Sequence, residues 1–381
     1  MKKNKWSIAF ILVSMAMIAI TDGLKGILMP VFMDTFNVQN TQMSFMLMLS
    51  SFAYIISSFS GGFLCEKFGH RRIFAAGIFL QFFSILGFTQ INSYTALLVV
   101  IFTLSIANGL IGISLNTLIP LIAVSAQAVF VNISHFCFGI GLTGIQKIGG
   151  ILIYNSIDFR QIYMGVAVIC AIYIVFFLLT KTPNPSISKT KTKNKVKINS
   201  IFLLMVFTLG FYAFSESLMS SWFINYMVKG YGLDFNKAST FAAIFLLTFS
   251  LGRLFGGFIV EKIGIEKSIQ ISLFIALILC IPGLLLKNIG FIFLSFSGLF
   301  FAIVYPTCTL WIVKLFPNNS ISTTGLVTTC ISLLNIFSIF ILGRINDLYS
   351  IKFGFWILFI ALCLSFTSSF ILARKSQHLK N

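Results

Sequence analysis

The chain has 381 residues, of which 58% are hydrophobic and only 9% charged, and its mean hydropathy is +0.99. Soluble domains are about one-quarter charged, so this composition excludes a protein that folds in water and indicates one that folds in lipid. The net charge of +18 would suit nucleic-acid binding, but basic residues concentrated in the cytoplasmic loops of a membrane protein explain it better. We therefore predict a lipid bilayer as the surroundings and no nucleic-acid partner.

Seven cysteines are scattered through the apolar stretches without any C-x-x-C spacing. This pattern predicts neither disulfides nor a metal site. The sequence shows no nucleophile paired with a base, no metal-ligand cluster and no phosphate-binding loop, which an enzyme would need. We predict that the protein is not an enzyme and binds no cofactor.

The first predicted element is an apolar helix over 6–33. Its start, MKKNKW followed by IAFILVSMAMIAI, imitates a signal peptide. The apolar segment continues without a small-residue cleavage site, so we predict a retained first helix. This helix carries Asp22 and Lys25, which are three residues apart and share one helix face.

Eleven further apolar stretches are long enough to cross a bilayer, which takes about 20 residues. The predicted spans are 41–65, 72–92, 95–122, 127–153, 161–180, 199–228, 236–260, 268–286, 290–314, 321–343 and 352–373. A polar, lysine-rich stretch, KTPNPSISKTKTKNKVK, separates six spans from six. We predict an all-α integral membrane protein of twelve transmembrane helices, with an N-terminal bundle (1–180), a cytoplasmic basic linker (181–198) and a C-terminal bundle (199–381).

The distribution of Lys and Arg predicts the orientation of the chain in the membrane. With both termini inside, the cytoplasmic segments carry 18 of these residues and the opposite side carries 6. Cytoplasmic loops of membrane proteins are enriched in Lys and Arg. We therefore expect a multi-pass protein of the cell membrane, a bacterial inner membrane in our interpretation, with both termini in the cytoplasm.

A glycine-rich, charged segment occurs twice. GGFLCEKFGHRR at 61–72 returns 195 positions later as GGFIVEKIGIEK at 256–267, each copy after the second span of its half. The repeat predicts two pseudo-symmetric six-helix bundles. Its charges can contact a neighbouring helix in one state and release it in another, although an ordinary turn between helices is the alternative. The predicted gating residues are Gly62, Glu66, Lys67, Gly69, Arg71, Arg72, Arg253, Gly257, Glu261 and Lys262.

Two acids occupy equivalent helices of the two halves. Asp22 lies in the first span and Glu216 in the seventh, 194 positions apart. Ionisable groups inside a membrane usually face a cavity or the bundle interior, because each costs at least about 2.5 kcal/mol at the bilayer centre. Both are candidate proton carriers. The alternative is structural: Asp22 neutralises Lys25, and Glu216 pairs with a basic residue on another helix.

Polar residues form stripes on several predicted helices. In the fifth span they recur at spacings of three and four, which places them on one face. Amides, hydroxyls and aromatic rings suit a neutral, hydroxyl-rich solute, but the same groups can also hold helices together in lipid. The candidate cavity residues are Lys25, Asn108, Asn116, Asn132, His135, Gln146, Trp222, Tyr226 and Asn335.

The repeated segment carries a family resemblance. From Gly62 to Arg72 the sequence resembles the loop signature of the major facilitator superfamily, G-x-x-x-[DE]-[RK]-x-G-x-[RK]-[RK]. The resemblance implies the major facilitator fold, a monomer, and a transporter whose two bundles rock about a central site.

A narrower resemblance is to the fucose permease-like sugar–proton symporters. It rests on DGLKGILMP, NGLIGISLN, NISHFCFGIG and the spacing of Glu216, Trp222 and Tyr226. Members of this branch carry acids in helices 1 and 4, and these positions align near Gly26 and Gly112 of this chain. The identity of the sugar and the coupling to protons therefore cannot be carried over to this chain residue by residue.

Two functions share this expected fold. The first is a proton-coupled symporter of a small neutral solute, a sugar in our hypothesis. The second is a proton-coupled exporter of drugs or other small molecules. Such exporters often carry G-P-x-x-G-G in helix 5, whereas GIQKIGG at 144–150 lacks the proline. The sequence therefore favours the symporter.

Overall fold

The computed structural model describes residues 2–122, 127–180, 198–317 and 320–377. Only the backbone is described for residues 2–5, 116–122, 127–132 and 321. Most of the linker predicted at 181–198 lies outside the described residues.

Twelve α-helices contain nearly all of the described residues, and each is long and apolar enough to cross a membrane. They are α1 (Lys2–Phe36), α2 (Asn40–Phe68), α3 (His70–Phe88), α4 (Tyr94–Ile122), α5 (Gln127–Tyr154), α6 (Phe159–Leu179), α7 (Ser200–Asn225), α8 (Phe235–Ile263), α9 (Ile265–Leu285), α10 (Lys287–Leu315), α11 (Ser320–Leu348) and α12 (Ile351–Gln377). A π-helical turn, Tyr226–Gly230, extends α7. The twelve predicted spans are confirmed. Helices suit a membrane because they satisfy every backbone hydrogen bond within one segment.

Side-chain caps mark several helix starts in this chain. Asp158 accepts a hydrogen bond from the backbone N–H of Arg160 (2.7 Å) before α6, and Asn199 accepts one from Phe202 (2.9 Å) before α7. Before α8, Asp234 accepts from the backbone N–H of Lys237 (2.9 Å), and this bond lowers the pKa of Asp234. Each cap satisfies a backbone donor that the first helical turn leaves without a partner.

The chain forms two compact units. The first contains Met1–Lys189 together with Asp234–Ser239, the start of α8, and the second contains Thr190–Leu233 together with Thr240–Asn381. The boundary between the two units falls in the predicted linker. The first turn of α8 is the exception, because it belongs to the first unit although it follows the linker. The domain bounds that we derived from sequence stay a prediction at the level of individual residues.

The same helix pairs recur in each unit. In the first unit α1 contacts α5, and α3 contacts both α4 and α6. In the second unit α7 contacts α11, and α9 contacts both α10 and α12. The second set is the first set shifted by six helices. The pseudo-symmetry predicted from the repeated segment is therefore present in the packing inside each unit.

The repeated glycines adopt matching conformations. Gly69 and Gly264 have the same φ of 88° and connect α2 to α3 and α8 to α9. L-residues rarely adopt this backbone conformation. A Cβ atom added to Gly61 would lie 2.8 Å from Ile113 on α4, and one added to Gly256 would lie 2.8 Å from Ile303 on α10. The first glycine of each pair therefore lets two helices approach closely.

Candidate functional site

Asp22 and Lys25 form an ion pair on α1. The Lys25 ammonium donates to Asp22 Oδ1 at 2.7 Å. Lys25 is buried, with 10% of its side chain exposed, whereas 48% of the Asp22 side chain is exposed. Helical spacing places the two side chains on one face, as the sequence predicted. One end of this pair is exposed and the other lies inside the unit.

The buried end of the pair is completed by two serines from other helices. Lys25 Nζ also donates to Ser50 Oγ on α2 (2.8 Å) and lies 3.5 Å from Ser105 Oγ on α4. The two hydroxyl oxygens are 2.7 Å apart and share a hydrogen bond. A single cation thereby joins three helices. We did not predict Ser50 or Ser105, because isolated serines in apolar spans carry no pattern.

The second acid, Glu216 on α7, faces Arg253 on α8. Their closest atoms, Glu216 Oε1 and an Arg253 terminal nitrogen, are 3.7 Å apart, which exceeds the length of a hydrogen bond. About one-third of each side chain is exposed, 28% for Glu216 and 32% for Arg253. The Arg253 guanidinium also lies over the ring of Phe249, 4.4 Å from its centroid. The structure places Arg253 beside the acid, and its predicted gating role stays a prediction.

In the second unit a tyrosine hydroxyl lies beside Glu216, and an amide of α11 contacts the next residue along α7. The buried Tyr212 hydroxyl, which neighbours Glu216, donates to the backbone oxygen of Phe301 at 2.7 Å. Asn335 on α11 donates from Nδ2 to the Ser217 hydroxyl at 2.8 Å. Among the described residues, the buried Oδ1 of Asn335 has no hydrogen-bond partner. Polar or charged groups of α8 and α11 therefore contact consecutive residues of α7, Glu216 and Ser217.

Asn108, a predicted cavity residue, lies within a buried network of the first unit. Its Oδ1 accepts from Gln81 Nε2 on α3 (2.9 Å), and its Nδ2 donates to Thr21 Oγ1 on α1 (3.2 Å). Both groups of the amide are thus engaged by neighbouring helices. This geometry corresponds to the alternative interpretation of Asn108, in which the amide holds helices together.

The two predicted aromatic contacts are buried inside the second unit. Trp222 is completely buried, and its indole Nε1 has no hydrogen-bond partner among the described residues. The Tyr226 ring stacks on Phe355 with centroids 3.9 Å apart, and its hydroxyl lies 3.2 Å from that of Tyr231. In this conformation both rings contact protein. Their predicted role in stacking on a solute stays a prediction.

The predicted polar face of α5 is described only in part. Asn132 on α5 and Asn116 on α4 lie outside the described side chains. Gln146 is buried and His135 is exposed. Lys147 on the same helix donates to the side-chain and backbone oxygens of Asn236 at 2.5 and 3.2 Å. That contact ties α5 to the turn of α8 that belongs to the first unit.

Some of the predicted gating residues contact a neighbouring helix, and others are exposed. Arg71 donates to the backbone oxygen of Thr180 at 2.5 Å and lies over the Phe177 ring, so it fastens the start of α3 to the end of α6. Lys67 lies over the ring of its neighbour Phe68. The exposed members are Glu66, Lys67, Arg72, Gly257, Glu261 and Lys262. A gating role for these residues stays a prediction.

Comparison with protein families identifies the chain. The family model described as Major Facilitator Superfamily matches residues 11–324. The chain belongs to the Major Facilitator Superfamily and is a multi-pass membrane protein of this transporter family. The all-α fold of two pseudo-symmetric six-helix bundles predicted from the sequence is confirmed.

Solved structures share the whole fold at low identity. A D-xylose–proton symporter is 14% identical with a TM-score of 0.79, and 96% of each chain is covered. An E. coli fucose:proton symporter is 18% identical with a TM-score of 0.64, over 97% of this chain and 99% of that one. A nucleoside transporter is 14% identical with a TM-score of 0.74, over 97% and 98%. No curated protein matched the sequence.

Proposed function

We propose that the chain is a secondary transporter that moves a small neutral solute, a sugar in our hypothesis, in symport with protons by alternating access. The observation that carries the proposal is the loose ion pair between Glu216 and Arg253. A carboxylate inside a membrane protein marks a substrate or proton pathway more often than a structural contact. The fold shared with two sugar–proton symporters supports the solute class.

Glu216 is a better proton carrier than Asp22. A proton added to Asp22 would leave Lys25 as a buried cation in contact with two serine hydroxyls, and an unpaired buried charge is strongly unfavourable. A proton added to Glu216 would leave Arg253 one-third exposed and stacked on Phe249. Water and the aromatic ring both stabilise that cation. We therefore assign coupling to Glu216 and a positioning role to the Asp22–Lys25 pair.

Uncharged polar groups at the residue of α7 next to Glu216 support a neutral solute. The Asn335 amide and the Ser217 hydroxyl, which are hydrogen-bonded to each other in this conformation, can donate and accept hydrogen bonds without adding net charge. A solute with several hydroxyl groups can exchange hydrogen bonds with such groups. A drug exporter would instead be expected to act on lipophilic cations.

The test measures external pH in weakly buffered, de-energised cells that express the protein while sugars are added one at a time. A substrate sugar should cause alkalinisation, because protons enter with it. Glu216→Gln should abolish the pH change, whereas Asp34→Asn, which removes an exposed carboxylate at the end of α1, should leave it intact.

Two outcomes would overturn the proposal. If lipophilic cations rather than sugars cause the pH change, and the medium becomes acidic, the protein is a proton-coupled exporter. If a sugar alkalinises the medium equally with Glu216→Gln, Glu216 does not carry the proton. Membrane insertion of each variant is checked by surface labelling, so that an unchanged external pH is interpreted only for inserted protein.

A further inference from the structure

A charged cleft lies at the end of the second unit where α9 begins and α10 ends. Its volume is about 270 Å³. The cleft is lined by the start of α9 and the last turns of α10, including Gly264, Glu266, Lys267, Trp311, Lys314 and Leu315. Both lysines are exposed and Trp311 is buried. None of these residues takes part in the ion pairs described above.

The charge of the cleft favours an anion. Lys267 and Lys314 approach from two different helices, and each brings one positive charge. The lining includes one acid, Glu266, whose carboxylate accepts a hydrogen bond from the Ser376 hydroxyl on α12 at 3.4 Å. The two ammonium groups therefore exceed the acid by one charge, and a phosphate group matches a pair of lysines.

The faces below the two lysines are apolar and exposed. On α9, Lys267 is followed at helical spacing by Ile271, Phe274 and Ile278, all of which are exposed. On α10, Lys314 stands one turn from Leu310, which is also exposed. Residues three or four positions apart lie on one helix face. In a membrane these two stripes contact acyl chains, and each lysine stands at the end of its stripe where the headgroups begin.

We propose that this cleft binds the headgroup of an anionic phospholipid, with the phosphate between Lys267 and Lys314 and the acyl chains along the exposed stripes of α9 and α10. The exposed apolar stripes select a lipid over a soluble phosphate, because a free phosphate gains nothing from them. Ordinary lysines at helix ends also reach towards headgroups. Lys267 and Lys314 differ from these because they come from two helices and line the same cleft.

The test is native mass spectrometry of the full chain in detergent, titrated with phosphatidylglycerol or with phosphatidylcholine of the same acyl chains. A lysine near anionic lipid contributes roughly a fivefold preference, so two lysines predict that the first phosphatidylglycerol binds about 30-fold more tightly than phosphatidylcholine. Lys267→Gln combined with Lys314→Gln should reduce this ratio to about one.

Matched variants separate the site from general electrostatics. Lys237→Gln combined with Lys287→Gln removes the same charge from the starts of α8 and α10, and should keep the 30-fold ratio. Lys267→Arg combined with Lys314→Arg keeps the cleft charge and should also retain most of the preference. A ratio unchanged by the cleft glutamines, or one reduced equally by the control pair, would overturn the proposal.

A soluble headgroup distinguishes lipid from free phosphate. Glycerol 3-phosphate carries the charge without acyl chains, and we expect it to leave phosphatidylglycerol binding unchanged at millimolar concentration. Full competition at that concentration would show that the cleft takes a soluble phosphate, and the lipid proposal would be wrong. Because the readout is lipid mass, the result is independent of whether Glu216 couples transport to protons.

Discussion

The ion pair between Asp22 and Lys25 is asymmetric in its exposure. The Lys25 side chain is 10% exposed and the Asp22 side chain 48% exposed, so the acid is accessible at the surface of the unit and the base is enclosed. Removing one partner of a buried pair leaves an uncompensated charge, whereas an exposed partner is solvated by water. The two residues should therefore respond differently to neutral substitutions, although they share one contact.

We expect Asp22→Asn to destabilise the protein more than Lys25→Met. The first change leaves a buried ammonium without its countercharge, at a cost of about 3 kcal/mol. The second leaves a half-exposed carboxylate, and Ser50 and Ser105 keep the hydrogen bond between them. Thermal unfolding of the purified variants in detergent measures the difference.

The double variant Asp22→Asn with Lys25→Met serves as the control for this pair. With the buried cation removed, most of the stability lost in Asp22→Asn should return. Equal destabilisation by the two single variants would contradict the asymmetric burial that underlies the assignment of Glu216 as the proton carrier.

In each pair of glycines near the ends of α2 and α8, one glycine packs against a neighbouring helix and the other does not. Gly61 and Gly256 lie against isoleucines on the neighbouring helices. A Cβ atom added to Gly62 or Gly257 would meet nothing within 4 Å. One residue of each pair is therefore required for helix packing, while the other is free to serve a different purpose.

We expect Gly61→Ala to destabilise the protein and Gly62→Ala to leave its stability unchanged. The new methyl group at Gly61 would press on Ile113 Cγ2 at 2.8 Å, and overpacking typically costs about 1–3 kcal/mol. The measurement is the thermal unfolding midpoint in detergent. The same contrast between Gly256→Ala and Gly257→Ala should appear in the second unit, and a reversed order in either pair would contradict the packing.

A substitution at Gly62 tests whether the repeated segment takes part in gating. Gly62→Leu adds a side chain where the described structure leaves open space, so the fold should form normally. We expect a slower uptake rate in correctly inserted protein, because the added bulk would obstruct movement of this segment between transport states. Glu66→Ala should slow uptake as well, by removing a charge from the same segment.

Gly165→Leu on α6 is the matched control for this substitution. As at Gly62, a Cβ atom added to Gly165 meets nothing within 4 Å, yet Gly165 lies outside the repeated segment. Uptake should proceed at the unsubstituted rate in this variant. If Gly62→Leu and Glu66→Ala both transport normally, the segment is an ordinary turn between helices.

The distribution of charge along the chain predicts on which side of the membrane its termini lie. An even number of spans places both termini on one side, and the threefold excess of Lys and Arg in one set of loops predicts that this side is the cytoplasm. The described helices α1 to α12 supply the twelve crossings that this arrangement needs.

Reporter fusions test this orientation. A reporter that is active only in the cytoplasm should be active when fused after Lys189 in the linker, and inactive when fused after Gly232 between α7 and α8. A reporter active only outside should show the opposite pattern. The reverse result for both reporters would place the linker outside and overturn the predicted orientation.

The sequence predicts which side chains contact each other within one helix, but not which side chains contact each other between helices. Asp22 and Lys25 are three residues apart on one helix, so helical periodicity suffices to bring them together. Glu216 was expected to have a basic partner on another helix as one alternative, but nothing in sequence distinguished Arg253, 37 positions away. Asn108 shows the same limit, since its engagement by Gln81 and Thr21 depends on how three helices meet.

What the sequence by itself determined is the number of helices, their halving and the repeated segment. Those properties follow from the length of apolar runs and from local spacing, because a bilayer requires each crossing to satisfy its backbone within one helix. Only the tertiary structure decided that Lys25 is enclosed by Ser50 and Ser105, that Arg253 faces Glu216, and that two lysines border one cleft. Those contacts depend on the rotation and register of helices against one another, which side-chain packing sets and periodicity does not encode.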